Sequence, residues 1–86
     1  MHYVYMLRCA DGTLYTGYTT NLKAREAAHN AGKGARYTRG RRPVEVVYTK
    51  GFRSIGKALT REYALKQLTR AQKEALIDAG SSKSKA

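Results

Sequence analysis

The stretch YVYMLRCADGTLYTGYT, residues 3–19, decides the fold that we predict for this chain. Its two ends, YVYMLR and LYTGYT, are rich in aromatic and β-branched residues, which favour β-strands. Between them, Asp11-Gly12 is a strong signal for a hairpin turn. The stretch therefore predicts two antiparallel strands, and it leaves open whether Tyr5 and Tyr15 serve packing or chemistry.

A helix, a basic segment and a third strand follow the hairpin. TTNLKAREAAHNAG is typical of a helix, with Thr20 or Asn21 as its N-cap and Gly32 near its C-terminal end. Residues 32–43, GKGARYTRGRRP, show no apolar periodicity and are predicted to form a basic loop. Residues 44–50, VEVVYTK, alternate well enough to be the third strand.

Two further helices complete the predicted domain. Ser54 is placed to cap a helix that extends to about Leu68, and TRAQ then has the pattern of a capping box. Gly80 is expected to end the last helix, and SSKSKA at 81–86 is expected to be a disordered tail. The order β-β-α-β-α-α predicts one α+β domain over residues 1–80, a small three-stranded antiparallel sheet covered by helices.

The charge balance indicates an anionic partner. Seventeen lysine and arginine residues against six aspartate and glutamate residues give a formal net charge of +11. Nucleic acid would relieve the self-repulsion of so basic a chain. A membrane surface is disfavoured, because the sequence offers no amphipathic helix with a bulky apolar face and no apolar stretch of spanning length.

The single cysteine, Cys9, excludes an intramolecular disulfide and a cysteine-based metal cluster. The N-terminus has no signal-peptide pattern, so we expect a cytoplasmic protein, associated with the nucleoid if the source is a bacterium. Acidic residues are too scarce for a two-metal carboxylate cluster.

One carboxylate stands at an unexpected place in the second long helix. Glu62 falls inside an apolar stripe that is expected to face the core, and a buried carboxylate is costly unless a cation, a metal or several donors meet it. The alternative is an ordinary ion pair with Lys66, four residues on. The stripe comprises Ile55, Ala58, Leu59, Leu65 and Leu68.

The first helix and the basic segment carry further candidates. Arg25 and His29 lie one turn apart beside a face of small residues, Ala24, Ala27, Ala28 and Ala31, that is expected to pack on the sheet. Arginine can bind a phosphate and histidine can exchange a proton near neutral pH; the alternative is that both are ordinary solvated side chains beside the packing face. The basic segment combines cations with an aromatic ring, which favours nucleic-acid contact over a merely solvated loop. Its candidate residues are Lys33, Arg36, Tyr37, Arg39, Arg41 and Arg42.

These pieces together resemble the GIY-YIG nuclease superfamily, and in particular its small stand-alone bacterial proteins of the YhbQ/YazA type. YVY at 3–5 stands where the family has GIY, and YTG at 15–17 stands where it has YIG. Arg25, His29 and Glu62 match the arginine, the histidine or tyrosine, and the metal-binding glutamate of the family. The resemblance extends over nearly the whole chain.

The resemblance implies hydrolysis of DNA phosphodiester bonds with one divalent ion, Mg²⁺ or Mn²⁺. Glu62 would hold the metal, Arg25 would stabilise the phosphoryl charge, and Tyr5 or Tyr15 would position or deprotonate the attacking water with His29 nearby. Branched, flap or nicked DNA is the expected substrate, in repair or recombination. We expect a monomer, with room for an unidentified protein partner.

Two departures from the family pattern keep other functions open. Tyr3 and Val4 replace the glycine and isoleucine of GIY, and the asparagine often found beyond the glutamate has no counterpart, with Glu74 near its place. A module that keeps the fold and binds nucleic acid without cutting is the first alternative. A basic assembly factor acting on RNA or a ribosomal particle is the second.

Overall fold

A computed structural model describes the backbone of residues 1–85 and the side chains of residues 1–79. The predicted α+β fold is confirmed, with one addition: the basic segment contains a single helical turn. The elements in chain order are β1 (His2–Cys9), β2 (Leu14–Thr19), α1 (Leu22–Asn30), α2 (Arg36–Arg39), β3 (Val44–Phe52), α3 (Ile55–Lys66) and α4 (Arg70–Lys85).

The predicted hairpin forms around Asp11 and Gly12. The Asp11 carboxylate accepts hydrogen bonds from the backbone N–H of Thr13 at 3.1 Å and from its hydroxyl at 2.6 Å. Gly12 has a φ of +85°, a conformation that glycine adopts without steric cost. Strand β1 lies at the centre of the sheet, in the order β2-β1-β3, and pairs antiparallel with both neighbours.

Helices cover both faces of this sheet, because side chains alternate along β1. Tyr5, Leu7 and Cys9 point to one face, where Leu22 of α1 packs against their cluster. Val4 points to the other face, in a cluster with residues of α3 and α4. The four strand positions are almost fully buried, so β1 is the core of the domain.

Helix α1 packs on the sheet with a face opposite to the one predicted. Asn21 is the N-cap, as expected, with its side chain accepting from the N–H of Ala24. The alanines at 24, 27 and 31 are exposed, whereas His29 is fully buried. The small-residue face therefore faces solvent, and the polar side of the helix faces the sheet.

Hydrogen bonds to the outer edge of β3 explain this orientation. Asn30 accepts from the N–H of Val44 at 2.7 Å and donates to its carbonyl at 3.0 Å. Glu26 accepts from the N–H of Val46 at 2.8 Å. An unpaired strand edge requires hydrogen-bond partners, and alanine side chains supply none.

Helix α3 is also rotated relative to the prediction. Ser54 caps it as expected, accepting from the N–H of Lys57. Ala58 and Leu65 are buried, but Ile55 and Leu59 are 50% and 45% exposed. The helix turns Arg61 inward, where the guanidinium donates to the hydroxyl of Tyr48 at 3.1 Å, and this rotation carries Ile55 and Leu59 out of the core.

Helix α4 begins at the predicted capping box. Thr69 and Gln72 exchange hydrogen bonds, each side chain accepting from the other residue's N–H, at 3.2 and 2.9 Å. The backbone continues as a helix to Lys85, past the end expected at Gly80, because one glycine inside a helix costs only about 1 kcal/mol. The tail predicted to be disordered comprises residues 81–86. The side chains of these residues, and Ala86 altogether, lie outside what the structure describes, so that prediction stays untested. Within the described residues, the helices are too short or too polar to cross a bilayer.

Candidate active site

The pairing of β1 with β2 brings the two family tyrosines to one place. Tyr5 lies opposite Gly17, and Tyr15 lies two residues away along β2 on the same face. The ring centroids are 6.5 Å apart. A Cβ added at Gly17 would lie 2.5 Å from the Tyr5 hydroxyl oxygen, so the absent side chain lets the Tyr5 ring lie across the strand.

Helix α1 adds a cation and an imidazole to these phenols. Arg25 donates from Nε to the Tyr5 hydroxyl at 3.3 Å, and one turn later His29 Nε2 lies 3.1 Å from the same oxygen. The imidazole also contacts the Tyr15 ring, with centroids 5.4 Å apart. The structure thus brings together four of the five predicted catalytic residues in direct contact.

Thr38 defines which nitrogen of His29 carries the proton. The Thr38 hydroxyl donates its only hydrogen to the carbonyl of Ala35 at 3.0 Å, so it accepts from His29 Nδ1 at 2.8 Å. With Nδ1 protonated, Nε2 is the hydrogen-bond acceptor of the neutral ring. The Tyr5 hydroxyl therefore donates to His29 and accepts from Arg25.

The sequence analysis missed the contribution of α2 to this site. Gly34 packs so closely on the imidazole of His29 that a Cβ there would overlap the ring, and Thr38 is fully buried beneath it. The glycine spacing in GKGARYT was the only available signal, since a single buried threonine produces no apolar periodicity.

The protonation states follow from burial and from the Arg25 charge. Burial raises the pKa of Tyr5, and Arg25 only partly offsets the effect. Burial, with a smaller contribution from the Arg25 charge, lowers the pKa of His29. The hydrogen bond to Tyr5 raises the pKa of Arg25. At neutral pH the site therefore holds a neutral phenol, a neutral imidazole and a permanent cation.

Glu62 lies on α3, which packs against β1 and β2. Its side chain is 19% exposed and forms the alternative ion pair considered from the sequence, 3.3 Å from Lys66 Nζ. The carboxylate charge is also one of the factors that raise the pKa of Tyr5, which places it within electrostatic range of the phenol. Glu62 therefore lies within electrostatic range of Tyr5, and its carboxylate pairs with Lys66 along the same helix.

The carboxylate of Glu62 suits a metal ion whose other ligands are water molecules and substrate phosphates. Among the described residues, His, Cys, Asp and Glu form no group of three that could hold an ion. Three other carboxylates already have partners: Asp11 pairs with Arg41, Glu26 accepts from the backbone N–H of Val46, and Glu74 pairs with Arg8. Mg²⁺ commonly binds one or two carboxylates together with water and substrate phosphates, so Glu62 alone fits that mode.

Glu74, near the place of the family asparagine, has a structural role. Its two oxygens accept from the Arg8 guanidinium at 2.7 and 2.9 Å, in a bidentate pair that joins α4 to β1. The hydrogen bond from Arg8 lowers the pKa of Glu74. The carboxylate is therefore ionised and committed to this pair.

The basic segment divides into anchored and exposed cations. Arg41 pairs with Asp11 at 3.0 Å and donates to the Tyr37 carbonyl, and Arg42 donates to the carbonyls of Arg39 and Asn30. The side chains of Lys33, Arg36 and Arg39 are exposed. The sequence predicts nucleic-acid contact for all five cations, whereas the structure gives Arg41 and Arg42 a part in the fold.

Tyr37 connects the basic segment to the tyrosine cluster. Its ring stacks on Tyr15, with centroids 5.8 Å apart at an interplanar angle of 29°, and the Arg41 guanidinium lies 4.1 Å from its centroid. Cations and aromatic surface thus continue outward from the site.

Phenols on a small antiparallel sheet, in contact with an arginine and a histidine from one helix, are the arrangement of a nuclease-type α+β domain. Residues 1–75 match the GIY-YIG catalytic domain. The chain belongs to the GIY-YIG family.

Small single-domain proteins are its close relatives. A UPF0213 protein of Halobacterium salinarum is 60% identical over 77 residues, covering 90% of this chain and 100% of that protein. A UPF0213 protein of Staphylococcus haemolyticus is 56% identical over 77 residues, covering 90% and 94% respectively. The solution structure of a UPF0213 protein from Bacillus halodurans has a TM-score of 0.60 at 50% identity, covering 91% of this chain and 83% of that chain.

Proposed function

We propose that this protein is a metal-dependent endonuclease that hydrolyses DNA phosphodiester bonds, with a preference for branched, flap or nicked DNA in repair or recombination. The observation that carries the proposal is the buried pair of Tyr5 and His29, held beside Arg25 with a fixed direction of hydrogen bonding. Burying polar groups costs free energy, and a surface that only binds DNA gains nothing from burying this pair.

The hydrogen-bond direction supports Tyr5 as the group that takes a proton from the attacking water. As water loses a proton to the Tyr5 oxygen, the Tyr5 proton moves to His29 Nε2, and the hydroxide attacks phosphorus while the P–O bond to the leaving strand breaks. The departing oxygen takes a proton from solvent water, and His29 then returns its proton through Tyr5 to solvent. Because the pKa of His29 is lowered, the imidazole is unprotonated and able to accept at neutral pH.

Arg25 supplies positive charge where the phosphate would lie. Its Nε holds Tyr5, and the guanidinium has further N–H donors for a phosphoryl oxygen. A preorganised cation in a partly water-excluded site stabilises charge that develops in the transition state. Tyr15, which stacks on Tyr37 and contacts His29 at a tilt, would orient the substrate against this group.

Glu62 would hold the divalent ion, Mg²⁺ or Mn²⁺, which when bound supplies Lewis-acid stabilisation of the phosphoryl oxygens. The pair with Lys66 involves Oε2 of the carboxylate, at 3.3 Å, so a metal ion would compete with Lys66 for the carboxylate charge. With one protein carboxylate, metal affinity should be weak until DNA contributes its phosphate.

Cleavage of labelled branched, nicked and single-stranded DNA in Mg²⁺ or Mn²⁺ tests the proposal. Glu62→Gln should reduce the cleavage rate by about 10² or more, because it removes the metal-holding charge. DNA binding by the same variant should stay close to that of the unaltered protein.

The matched control is Glu45→Gln, which removes a carboxylate from an exposed position on β3. It should cleave like the unaltered protein. Equal, slow cleavage by the unaltered protein and Glu62→Gln would refute the nuclease proposal and indicate a contaminating activity.

The second candidate is a non-catalytic nucleic-acid-binding module with the same fold. Two contacts favour it: Lys66 already neutralises Glu62, and Glu74 near the place of the family asparagine is held by Arg8. Tight, salt-sensitive binding without metal-dependent cleavage of any of the three DNA forms would select this candidate.

A further inference from the structure

Helix α3 exposes an apolar stripe that the core does not use. Ile55, Leu59 and Tyr63 are 50%, 45% and 69% exposed. They recur every fourth residue and so follow one side of the helix. Contiguous exposed apolar side chains mark binding surfaces more often than scattered single ones do.

This stripe adjoins the candidate metal ligand. At 100° per residue, Glu62 lies between the stripe and the buried side of the helix that Ala58 and Leu65 define. Lys66, its ion-pair partner, continues the same edge one turn further on. Whatever covers the stripe therefore lies next to Glu62.

Two observations argue against a second copy of this chain as the covering group. Three side chains of this kind expose on the order of 300 Å², well below the roughly 800 Å² per partner of a stable interface. A second copy would in addition bring a formal charge of +11 toward an equal charge. The net charge of the chain instead attracts a polyanion.

We propose that the stripe of Ile55, Leu59 and Tyr63 binds unpaired bases at the branch point of a DNA substrate. This inference rests on the proposed function, because its substrate is branched DNA. It assigns the preference for branched over duplex DNA to α3. Unpaired bases expose flat apolar faces that stack on an aromatic ring and pack against leucine and isoleucine, whereas a duplex keeps those faces covered. Bases seated there bring the phosphate at the junction to Glu62.

The test compares binding of forked DNA with binding of a duplex of equal length, by fluorescence anisotropy in EDTA so that no cleavage occurs. The ratio of the duplex Kd to the fork Kd should fall about tenfold in a Leu59→Gln, Tyr63→Ser double variant. The salt dependence should not change, because no charge is altered. Tyr63→Ala, at the most exposed of the three positions, should lower the ratio by a smaller factor.

Ala27→Gln, an apolar-to-polar change on the exposed face of α1, is the control and should leave the ratio unchanged. 2-Aminopurine placed at the fork should change its fluorescence on binding to the unaltered protein and not to the double variant. An unchanged ratio in a folded double variant would overturn the proposal. So would sedimentation showing that the unaltered protein is a dimer and the double variant a monomer. None of these three readouts involves cleavage, so a failure here is distinguishable from a failure of the nuclease proposal.

Discussion

At the scale of single residues, the direction of one hydrogen-bond chain determines the chemistry available. The Thr38 hydroxyl donates its proton to the Ala35 carbonyl, so it accepts from His29 Nδ1 and sets the tautomer of the ring. His29 Nε2 then accepts from the Tyr5 hydroxyl. Each link depends on the one before, because a hydroxyl has one proton to donate. The chain explains why a buried histidine here is neutral and basic at the nitrogen that faces the phenol.

The lowered pKa of His29 predicts how stability changes with pH. Below the unfolded-state pKa of about 6.5, the unfolded chain takes up a proton that the folded protein excludes, so folding stability falls as pH decreases toward the lowered value. The loss should approach about 1.4 kcal/mol per pH unit. Urea unfolding between pH 7.5 and 5.5 measures it.

His29→Gln should abolish this slope whatever its effect on stability at pH 7.5. His2→Gln, which alters the only other histidine, should retain the slope. A slope that persists in His29→Gln would show that another group is responsible and that His29 is not held neutral.

At the scale of elements, α1 carries the site because its polar side chains fasten it to the sheet. Asn30 hydrogen-bonds the backbone N–H and C=O of Val44, as a neighbouring strand would. Glu26 accepts a hydrogen bond from the backbone N–H of Val46. This attachment turns Arg25 and His29 toward β1. Alanine spacing predicted the reverse orientation because hydrophobicity patterns do not register side-chain bonds to a strand edge.

Asn30→Ala should therefore destabilise the fold by roughly 1–3 kcal/mol, since it leaves the Val44 backbone N–H and C=O without their side-chain partner. Thermal or urea unfolding gives the value. Lys23→Gln, a polar change at an exposed position of the same helix, should have an effect within about 0.5 kcal/mol. Equal stability of the two variants would show that the edge contact is dispensable.

At the scale of the whole molecule, a chain measuring 29 × 27 × 25 Å carries a formal charge of +11. The cations are not equivalent, because Arg41 ties the α2 segment to the hairpin turn through Asp11, while Lys33, Arg36 and Arg39 are exposed. Phosphate contacts made by exposed cations contribute affinity that falls steeply with salt.

Replacing Lys33, Arg36 and Arg39 together by Gln should weaken DNA binding and reduce the log–log salt slope by up to about three units. Anisotropy titrations over a range of salt concentrations give the slope. The control removes the same charge at the exposed residues Lys23, Lys50 and Lys57, and its slope should change less. Equal slopes for the two triple variants would remove the basic segment from the binding surface.

The sequence by itself determined the three strands, the three longer helices and the order of the chemical groups along the chain, but not the short helix α2 or the end of α4. The turn at Asp11-Gly12, the caps Asn21 and Ser54, and the Thr69–Gln72 box are local signals, because each depends on bonds between residues near one another in sequence. The family pattern then singled out the five site residues. All of this could be predicted without knowing the packing.

Only the tertiary structure decided which side of each helix faces the sheet and what surrounds His29. The deciding contacts are hydrogen bonds: Glu26 and Asn30 to β3, Arg61 to Tyr48, and His29 to Thr38. The partners are too far apart in sequence for a local pattern to predict them. Hydrophobic periodicity fails at these positions because the buried contacts are polar and non-local. The same polar contacts that turned α1 and α3 away from their predicted faces build the site and expose the stripe beside it.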